Sequence, residues 1–290
     1  MTCPPPANES DEPSAPPAAE ATGGEDEPNR EAAAPEPPQP AKPSFADFGL
    51  DPRLLQAVAG LGFETPTDVQ LAAIPPLLEG SDVIGRARTG SGKTAAFGLA
   101  LLERVKSGGA ARALVVCPTR ELAMQVGEAL RSFAKHVKGL RVAVVYGGAP
   151  YSPQLKALAS GVTVIVGTPG RLIDHLDRGT FDMSTIEYFV LDEADEMLRM
   201  GFIDDVRKLL AATPETRQVA LFSATMPRPI REVAQAYLRK PIELDVEDRP
   251  LSVDHIEQRW VRVPMQHKLD ALVRIVRGID HGTTLVFART

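Results

Sequence analysis

Residues 87–94, Ala-Arg-Thr-Gly-Ser-Gly-Lys-Thr, decide the fold of this chain. A short apolar run, Val83-Ile84, precedes them, and a helical pattern follows them until Gly108-Gly109. A strand, a glycine-rich turn and a helix N-terminus, in that order, form a cradle for phosphate, because backbone N–H groups and the positive end of the helix dipole point at the anion. This stretch therefore predicts a loop that binds a nucleoside triphosphate.

The residue types within the loop fit that chemistry. Gly90 and Gly92 let the backbone approach a ligand where a Cβ would collide. Lys93 can reach the β- and γ-phosphates, and the Thr94 hydroxyl is a suitable ligand for Mg²⁺. The alternative, a glycine turn that merely begins an ordinary helix, does not explain eight residues in the required context of strand and helix. The expected nucleotide-binding residues of the loop are Arg88, Thr89, Gly90, Ser91, Gly92, Lys93 and Thr94.

Residues 1–43 differ in composition from the rest of the chain. They hold twelve of the 26 prolines, nine acidic residues and two basic ones, and almost no aliphatic or aromatic side chains. Such a segment cannot offset its ordering entropy by burial, so we expect a disordered tail. We interpret it as a solubilising extension, with a protein-binding arm as the alternative. The tail carries a net charge of −7, which leaves +1 on residues 44–290. Any nucleic-acid binding must therefore come from a local basic surface.

Several classes of protein are excluded by composition. The first residues have neither the basic nor the apolar region of a signal peptide, and no run approaches the roughly eighteen apolar residues of a membrane helix. Cys3 and Cys117 form no disulfide framework or zinc spacing, and we interpret Cys117 as a small core residue. We expect a soluble cytoplasmic protein. We expect the five scattered histidines to be exposed to solvent; they are His136, His175, His255, His267 and His281.

The remainder of the chain alternates between apolar runs and helical patterns, which indicates an α/β fold with a mostly parallel sheet covered on both faces. After Val83-Ile84, strands are predicted at Ala113–Cys117, Val142–Val145, Val162–Val166, Tyr188–Leu191, Val219–Phe222 and Ile242–Val246. Helices are predicted after Asp51-Pro52, from Pro66-Thr67-Asp68 to Pro75-Pro76, and at Glu121–Val137, Arg171–Leu176, Ile203–Leu210 and Ile230–Leu238.

Polar and glycine-rich motifs follow five of the predicted strands, and ligands of parallel sheets bind at the carboxyl ends of strands. These motifs are Pro118–Ala123, Gly147-Gly148, Thr168–Arg171, Asp192–Asp195 and Ser223–Thr225. Each alone is compatible with helix capping, but five at one edge beside a phosphate loop indicate a binding site. We assign Asp192 to Mg²⁺, through a water molecule, and Glu193 to the catalytic water.

Residues 45–290 resemble the DEAD-box RNA helicases, which are built from two RecA-like domains, and the motifs above occur in the family's order. Phe45, Gly62-Phe63, Pro66-Thr67 and Gln70 match the adenine-recognition motif of that family. The resemblance implies a RecA-like three-layer α/β/α fold and ATP as the nucleotide. It also implies that Gln70 hydrogen-bonds the adenine edge and that Phe45 stacks on the ring.

The same resemblance implies contacts to RNA and a link between the two ligands. Ser223 and Thr225, through Asp195, would couple the acidic motif to the RNA site. Guanidinium groups, hydroxyls and glycine N–H groups grip a sugar-phosphate backbone without reading bases, so we expect little sequence preference. The implied RNA contacts are Thr119, Arg120, Gly147, Gly148, Thr168 and Arg171.

The predicted domain organisation is a tail (1–43), a RecA-like ATP-binding domain (44–246), a linker (247–254) and the start of a second RecA-like domain (255–290). In that last segment strands are predicted at Ile256–Val263 and Thr284–Phe287, with a helix at Lys268–Val276. Two strands and a helix bury little core, so we expect a fragment of a longer protein. The resemblance implies that the family's arginine fingers lie in the missing part, so we expect this piece to bind ATP weakly and to hydrolyse it slowly if at all.

The leading hypothesis is an ATP-dependent RNA helicase that clamps, bends and locally unwinds RNA duplexes. An ATP-gated RNA clamp or scaffold in ribonucleoprotein assembly is the alternative, and a P-loop ATPase without a nucleic-acid role is a third possibility.

Overall fold

The computed structural model describes residues 43–105, 111–246, 257, 259–278 and 283–288. The strands within these ranges are β1 (Val83–Arg86), β2 (Ala113–Val116), β3 (Val142–Val145), β4 (Val164–Gly167), β5 (Tyr188–Leu191), β6 (Gln218–Ser223) and β7 (Ile242–Asp245). They form one sheet in the order β3-β4-β2-β5-β6-β1-β7, and every neighbouring pair is parallel. Parallel neighbours require crossover connections, which the intervening helices supply. The parallel sheet predicted from the sequence is confirmed.

Helices cover both faces of the sheet. They are α1 (Pro52–Gly60), α2 (Asp68–Glu79), α3 (Lys93–Arg104), α4 (Arg120–Phe133), α5 (Tyr151–Ala159), α6 (Pro169–Asp177), α7 (Ala194–Arg199), α8 (Ile203–Ala211) and α9 (Arg228–Tyr237). A further helix, α10 (Lys268–Gly278), follows in the C-terminal segment and has no buried residue. Helices α1 to α4 form one apolar core with strand residues on one face of the sheet, such as Val115 of β2. Helices α5 to α9 form a second core with strand residues on the other face, such as Leu114 of β2. Alternate strand residues thus serve opposite faces, and the RecA-like three-layer α/β/α fold is confirmed.

Helix α2 continues past the two prolines at which the sequence predicts its end. Pro75 and Pro76 lie inside the helix, which runs to Glu79 and is capped by Gly80 in the left-handed conformation, with φ of +90°. Proline in a helix interior removes a hydrogen bond and usually kinks or ends the helix. Here Ile74 and Leu77 are fully buried on either side of the prolines, so packing of the apolar face outweighs that cost.

Two helices were not predicted from the sequence. Helix α5 follows Gly147-Gly148 and carries Pro153 in its first turn, where proline needs no N–H partner. Helix α7 is only six residues long and begins directly after Glu193. Only Asp192 and Glu193 lie between the end of β5 and the start of α7, so the acidic motif is carried on a short strand-to-helix connection. Gly108-Gly109, predicted to end α3, lie outside the described residues.

The segment predicted to begin a second domain agrees with the prediction only in its helix. Helix α10 is present, but the described residues of the two predicted strands have no strand conformation, and Trp260 and Phe287 are 86% and 88% exposed. A strand needs a hydrogen-bonded neighbour and a buried face, and neither is present for these residues within the described ranges. Residues 1–42 of the predicted tail and the whole linker 247–254 lie outside the described residues.

None of the helices in the described ranges combines the length and the apolar character needed to cross a membrane.

Candidate functional site

The phosphate loop connects β1 to α3 at the carboxyl edge of the sheet. Gly90 and Gly92 adopt left-handed backbone conformations, with φ of +87° and +97°. A Cβ at Gly92 would also lie 2.6 Å from Gln70 Nε2, so no other residue fits without displacement. Ser91 closes the turn, because its hydroxyl donates to the Arg88 carbonyl at 2.8 Å, while the Arg88 side chain is exposed. The loop therefore has the backbone geometry of a phosphate cradle.

Lys93 and Asp192 face each other across the sheet edge. Lys93 Nζ lies 3.8 Å from Asp192 Oδ1, and the two side chains are only 6% and 3% exposed. Among the described residues, neither of these two atoms has a hydrogen-bond partner. Burial raises the pKa of Asp192 to about 6, against the opposing effect of the Lys93 ammonium. Buried polar groups are normally satisfied, so this pair fits a ligand that offers oxygen to the ammonium and positive charge to the carboxylate.

A triphosphate with a bound Mg²⁺ has these properties. Within the described residues, no cluster of three or more His, Cys, Asp and Glu side chains could hold a metal ion. Mg²⁺ typically keeps several water molecules and binds through one or two carboxylates together with substrate phosphates, so such a cluster is not required. Asp192 and the half-buried Thr94, one residue after Lys93, are the side chains that would hold it.

Glu193 is held in a conformation that its residue type disfavours. Its φ and ψ are 55° and 54°, in the left-handed region, at the start of α7. A non-glycine residue there costs about 1–3 kcal/mol and is retained mainly at functional sites. Thr89 Oγ1 donates a hydrogen bond to Glu193 Oε1 at 2.8 Å, which ties the acidic motif to the phosphate loop. Neither this strain nor the hydrogen bond to Thr89 was predicted from the sequence.

Gln70 contacts the phosphate loop through its own amide. Gln70 Nε2 donates to the Gly92 carbonyl at 3.2 Å, its Oε1 accepts from Thr67 N at 2.9 Å, and Gln70 is buried. The Thr67 hydroxyl donates to the Ser91 carbonyl at 3.0 Å. Gln70 of α2 and Thr67, the N-cap residue of that helix, thus hold two consecutive carbonyls of the phosphate loop. The adenine contact expected of Gln70 stays a prediction.

Phe45 lies in an aromatic cluster. Its ring centroid is 6.2 Å from that of Phe63, which in turn is 6.1 Å from Phe133, and Phe45 is 4% exposed. Stacking of Phe45 on adenine therefore requires that this buried ring become accessible, and it too stays a prediction.

Asp195, Ser223 and Thr225 form a closed hydrogen-bond network between α7 and the end of β6. Thr225 donates to Asp195 Oδ2 through both its hydroxyl, at 2.9 Å, and its backbone N, at 3.1 Å. Asp195 N donates to Ser223 Oγ at 3.1 Å, and that hydroxyl donates to the Thr225 carbonyl at 2.7 Å. Burial opposes ionisation of Asp195, but hydrogen bonds, above all those that Thr225 donates to its carboxylate, prevail and lower its pKa. The network joins the three residues for which coupling is predicted.

The residues predicted to contact RNA follow β2, β3 and β4, which are neighbours on one side of the sheet. Thr119 and Thr168 are the N-cap residues of α4 and α6. The guanidinium of Arg120 lies 5.0 Å from the Tyr146 ring centroid, and that of Arg171 lies 5.2 Å from the Tyr151 ring centroid. The phosphate loop and the acidic motif follow β1 and β5, so the two sets of residues occupy the two halves of one sheet edge.

Gly147 and Gly148 are exposed in the loop between β3 and α5. A Cβ at either position would have no heavy atom within 4 Å, and Gly148 has φ of +76°. The peptide groups here are open to solvent, as contacts to a phosphate backbone require.

Buried polar residues lie behind this loop, and their burial was not predicted from the sequence. His175, predicted to be solvated, is 0% exposed and contacts Tyr151, Gln154 and Thr180, so that prediction was wrong. Burial lowers its pKa, as does the nearby Arg171. Leu172 and His175 are three positions apart on α6 and so share one helix face, which is the one local signal of burial that was overlooked. His255 and His281 lie outside the described residues. Cys117 is fully buried, which confirms its interpretation as a core residue.

A glycine-rich phosphate loop and a buried Lys–Asp pair at the carboxyl edge of an all-parallel sheet define a P-loop nucleotide-binding protein of the RecA-like class. A family model described as "DEAD/DEAH box helicase" matches residues 67–233, which is more than half of the chain. The chain belongs to the DEAD/DEAH box helicase family.

Curated relatives match over most of this chain. It is 46% identical over 254 residues to "ATP-dependent RNA helicase DeaD" of Mycobacterium tuberculosis, covering 87% of this chain and 45% of that protein. It is 48% identical over 248 residues to the protein of the same name from Escherichia coli, covering 85% of this chain and 39% of that protein. The chain thus spans less than half the length of these relatives.

Solved structures agree with the assignment of the fold. A DEAD box protein from Methanococcus jannaschii has a TM-score of 0.68 and 42% identity, with 81% of this chain and 63% of that chain covered. A hypothetical ATP-dependent RNA helicase from Sulfolobus tokodaii has a TM-score of 0.63 and 41% identity, with 67% and 57% covered.

Proposed function

We propose that the protein is an ATP-dependent RNA helicase that couples ATP binding and hydrolysis to clamping, bending and local unwinding of RNA. The observation that carries this proposal is the buried pair of Lys93 Nζ and Asp192 Oδ1, which are 3.8 Å apart and have no hydrogen-bond partner among the described residues. It lies on the same sheet edge as Arg120 and Arg171. The names of the curated relatives from M. tuberculosis and E. coli support the activity.

In this proposal each residue of the nucleotide half has one task. Lys93 and the backbone N–H groups at the start of α3 bind the β- and γ-phosphates. Asp192 and Thr94 would hold Mg²⁺, which when bound would neutralise charge that develops on the phosphate oxygens. Glu193, positioned by Thr89, accepts a proton from the water that attacks the γ-phosphorus. The bond from that phosphorus to the bridging oxygen breaks, and ADP and inorganic phosphate leave.

In the RNA half the chain offers groups that suit phosphates and riboses. Arg120, Arg171 and the exposed peptides at Gly147 and Gly148 grip a backbone without reading bases. Affinity for RNA should therefore fall steeply as salt rises. Asp195, Ser223 and Thr225, between the two halves, would transmit the state of the nucleotide site. The acidic tail is a candidate contact for protein partners.

The first test is binding of nucleotide and RNA by residues 1–290. We expect Mg-ATP binding that is lost in Lys93→Ala, and binding of unrelated single-stranded RNA sequences with similar affinities. If the protein binds ATP but does not bind RNA, the proposal is contradicted and a P-loop ATPase without a nucleic-acid role is favoured. Slow hydrolysis by these residues alone stays a prediction.

Strand displacement by the full-length protein separates the two RNA hypotheses. An RNA helicase releases a labelled strand from a short duplex in an ATP-dependent reaction. An ATP-gated clamp remains on RNA for longer with ATP bound but displaces no strand.

A further inference from the structure

The exposed glycine loop is anchored at both ends by one buried amide. Gln154, on α5, is 6% exposed. Its Nε2 donates hydrogen bonds to the Tyr146 carbonyl at 3.1 Å and to the Pro150 carbonyl at 3.4 Å. These two carbonyls flank Gly147 and Gly148. Both protons of a single amide nitrogen are therefore used to close residues 146–150 into a fixed loop.

His175 fixes the orientation of that amide. Because Gln154 Nε2 is committed to the two carbonyls, Gln154 Oε1 is the atom that faces His175 Nε2, at 3.4 Å. His175 Nε2 must then carry the proton, a tautomer assigned here from the network. His175 Nδ1 faces the Tyr151 hydroxyl at 3.1 Å and Thr180 Oγ1 at 2.8 Å.

The same cluster also positions Arg171. The rings of Tyr151 and His175 stack with centroids 4.5 Å apart and an interplanar angle of 19°. The Arg171 guanidinium lies 5.2 Å from the Tyr151 ring centroid, and both of its terminal nitrogens donate to the Ala149 carbonyl at 3.3 Å. Arg171 and the glycine loop are thus held in one arrangement by the buried Gln154 and His175 and by the half-buried Tyr151.

We propose that Gln154 and His175 are positioning residues of the RNA-binding surface, which fix the loop 146–150 and Arg171 in the geometry that receives a phosphate backbone. This rests on the proposed RNA-binding function. The physical reason is preorganisation. Gly147 and Gly148 have no side chains to restrict the loop, so without the amide its closure on RNA would cost conformational entropy at the moment of binding.

Gln154→Met tests the proposal, because Met fills a similar volume without donating hydrogen bonds. Gln218→Met is the matched control. Gln218 is also buried, at 4% exposure, and its Nε2 also donates to two carbonyls, those of Leu77 at 3.0 Å and Ser81 at 2.6 Å. It lies at the start of β6, at the opposite edge of the sheet. Each variant therefore loses two hydrogen bonds from a buried amide to backbone carbonyls, but only Gln154→Met loses them at the glycine loop.

Three measurements are made on the whole chain: the Kd for oligouridine by fluorescence anisotropy, the Kd for Mg-ATP, and amide hydrogen exchange. We expect Gln154→Met to weaken RNA binding by about three- to tenfold, while the Kd for Mg-ATP changes by less than about twofold. We expect faster exchange at Gly147, Gly148 and Ala149 in Gln154→Met but not in Gln218→Met. Gln218→Met should leave RNA affinity within about twofold of the wild type.

His175→Phe is the second variant and carries the same test if Gln154→Met does not fold. It keeps an aromatic ring against Tyr151 but cannot donate to Gln154, so we expect a smaller loss of RNA affinity. The double variant should bind RNA no more weakly than Gln154→Met. Additive losses, equal losses in Gln154→Met and Gln218→Met, or unchanged exchange at the loop would overturn the proposal. If the wild type binds no RNA, the proposed function fails, whereas the exchange data still decide the positioning role.

Discussion

Acidification from about pH 7.5 to about pH 5 should weaken Mg-ATP binding through Asp192. Burial raises the pKa of this carboxyl to about 6, and Lys93 only partly offsets the effect. With that pKa the side chain is nearly all ionised at about pH 7.5 and roughly nine-tenths protonated at about pH 5. Because a protonated carboxyl is a poor partner for Mg²⁺ and its waters, the share of competent protein, and with it the affinity, falls about tenfold.

The assay is an equilibrium titration with a fluorescent ATP analogue at several pH values, in the wild type and in Asp192→Asn. The phosphates of the nucleotide also titrate in this range, so the ratio of the two affinities is the quantity to follow. Asparagine is neutral at every pH. The wild type should therefore bind the nucleotide about tenfold more tightly than Asp192→Asn at about pH 7.5, and with about the same affinity as that variant at about pH 5. A ratio that does not change with pH would refute the assignment of Asp192 to the metal.

Three further predictions address the other parts of the site. In the full-length protein, Glu193→Gln should retain ATP binding but lower phosphate release by about 10²- to 10⁴-fold, and unchanged turnover would remove Glu193 from its role. Thr225→Val removes a hydrogen bond to Asp195, so chemical denaturation should show a free energy of unfolding lower by about 1 kcal/mol. Stimulation of the ATPase by RNA should fall while ATP affinity stays unchanged, and full stimulation would contradict the coupling role. Arg120→Ala should reduce the slope of log affinity for RNA against log salt by about 0.7, and an unaltered slope would exclude a phosphate contact.

The elements that the sequence predicted well are those whose determinants are local. The phosphate loop is recognisable because Gly90, Gly92 and Lys93 stand between an apolar strand and an amphipathic helix. The buried strands are continuous runs of β-branched and other apolar residues, such as Val164–Gly167, which a parallel sheet covered on both faces requires. Since parallel strands end at one edge, the proximity of Lys93 and Asp192 followed from the order of elements.

The features that escaped prediction depend on tertiary contacts. Pro75 and Pro76 predict the end of a helix, but burial of their neighbours Ile74 and Leu77 stabilises α2 beyond them. Nothing in the sequence around Glu193 indicates a left-handed backbone, which the connection between β5 and α7 imposes. His175 read as solvated because a single polar residue in a polar stretch does not reveal that Tyr151 and Gln154, more than twenty positions earlier, pack against it.

The predicted strands near Trp260 and Phe287 failed for the opposite reason. Their local pattern is suitable for strands, but strand formation depends on neighbours that do not pair with them in the described residues. Helix α10, between them, forms through hydrogen bonds within its own segment, so its prediction needed no such neighbour.

The most direct test of the account is a crystal structure of the chain with Mg²⁺ and a non-hydrolysable ATP analogue. We expect the triphosphate to lie on residues 87–94, Lys93 Nζ to contact its β- and γ-phosphate oxygens, and Asp192 to bind the metal through a water molecule. A nucleotide bound elsewhere, or one bound here with Lys93 and Asp192 still facing each other and no phosphate or metal between them, would contradict this account.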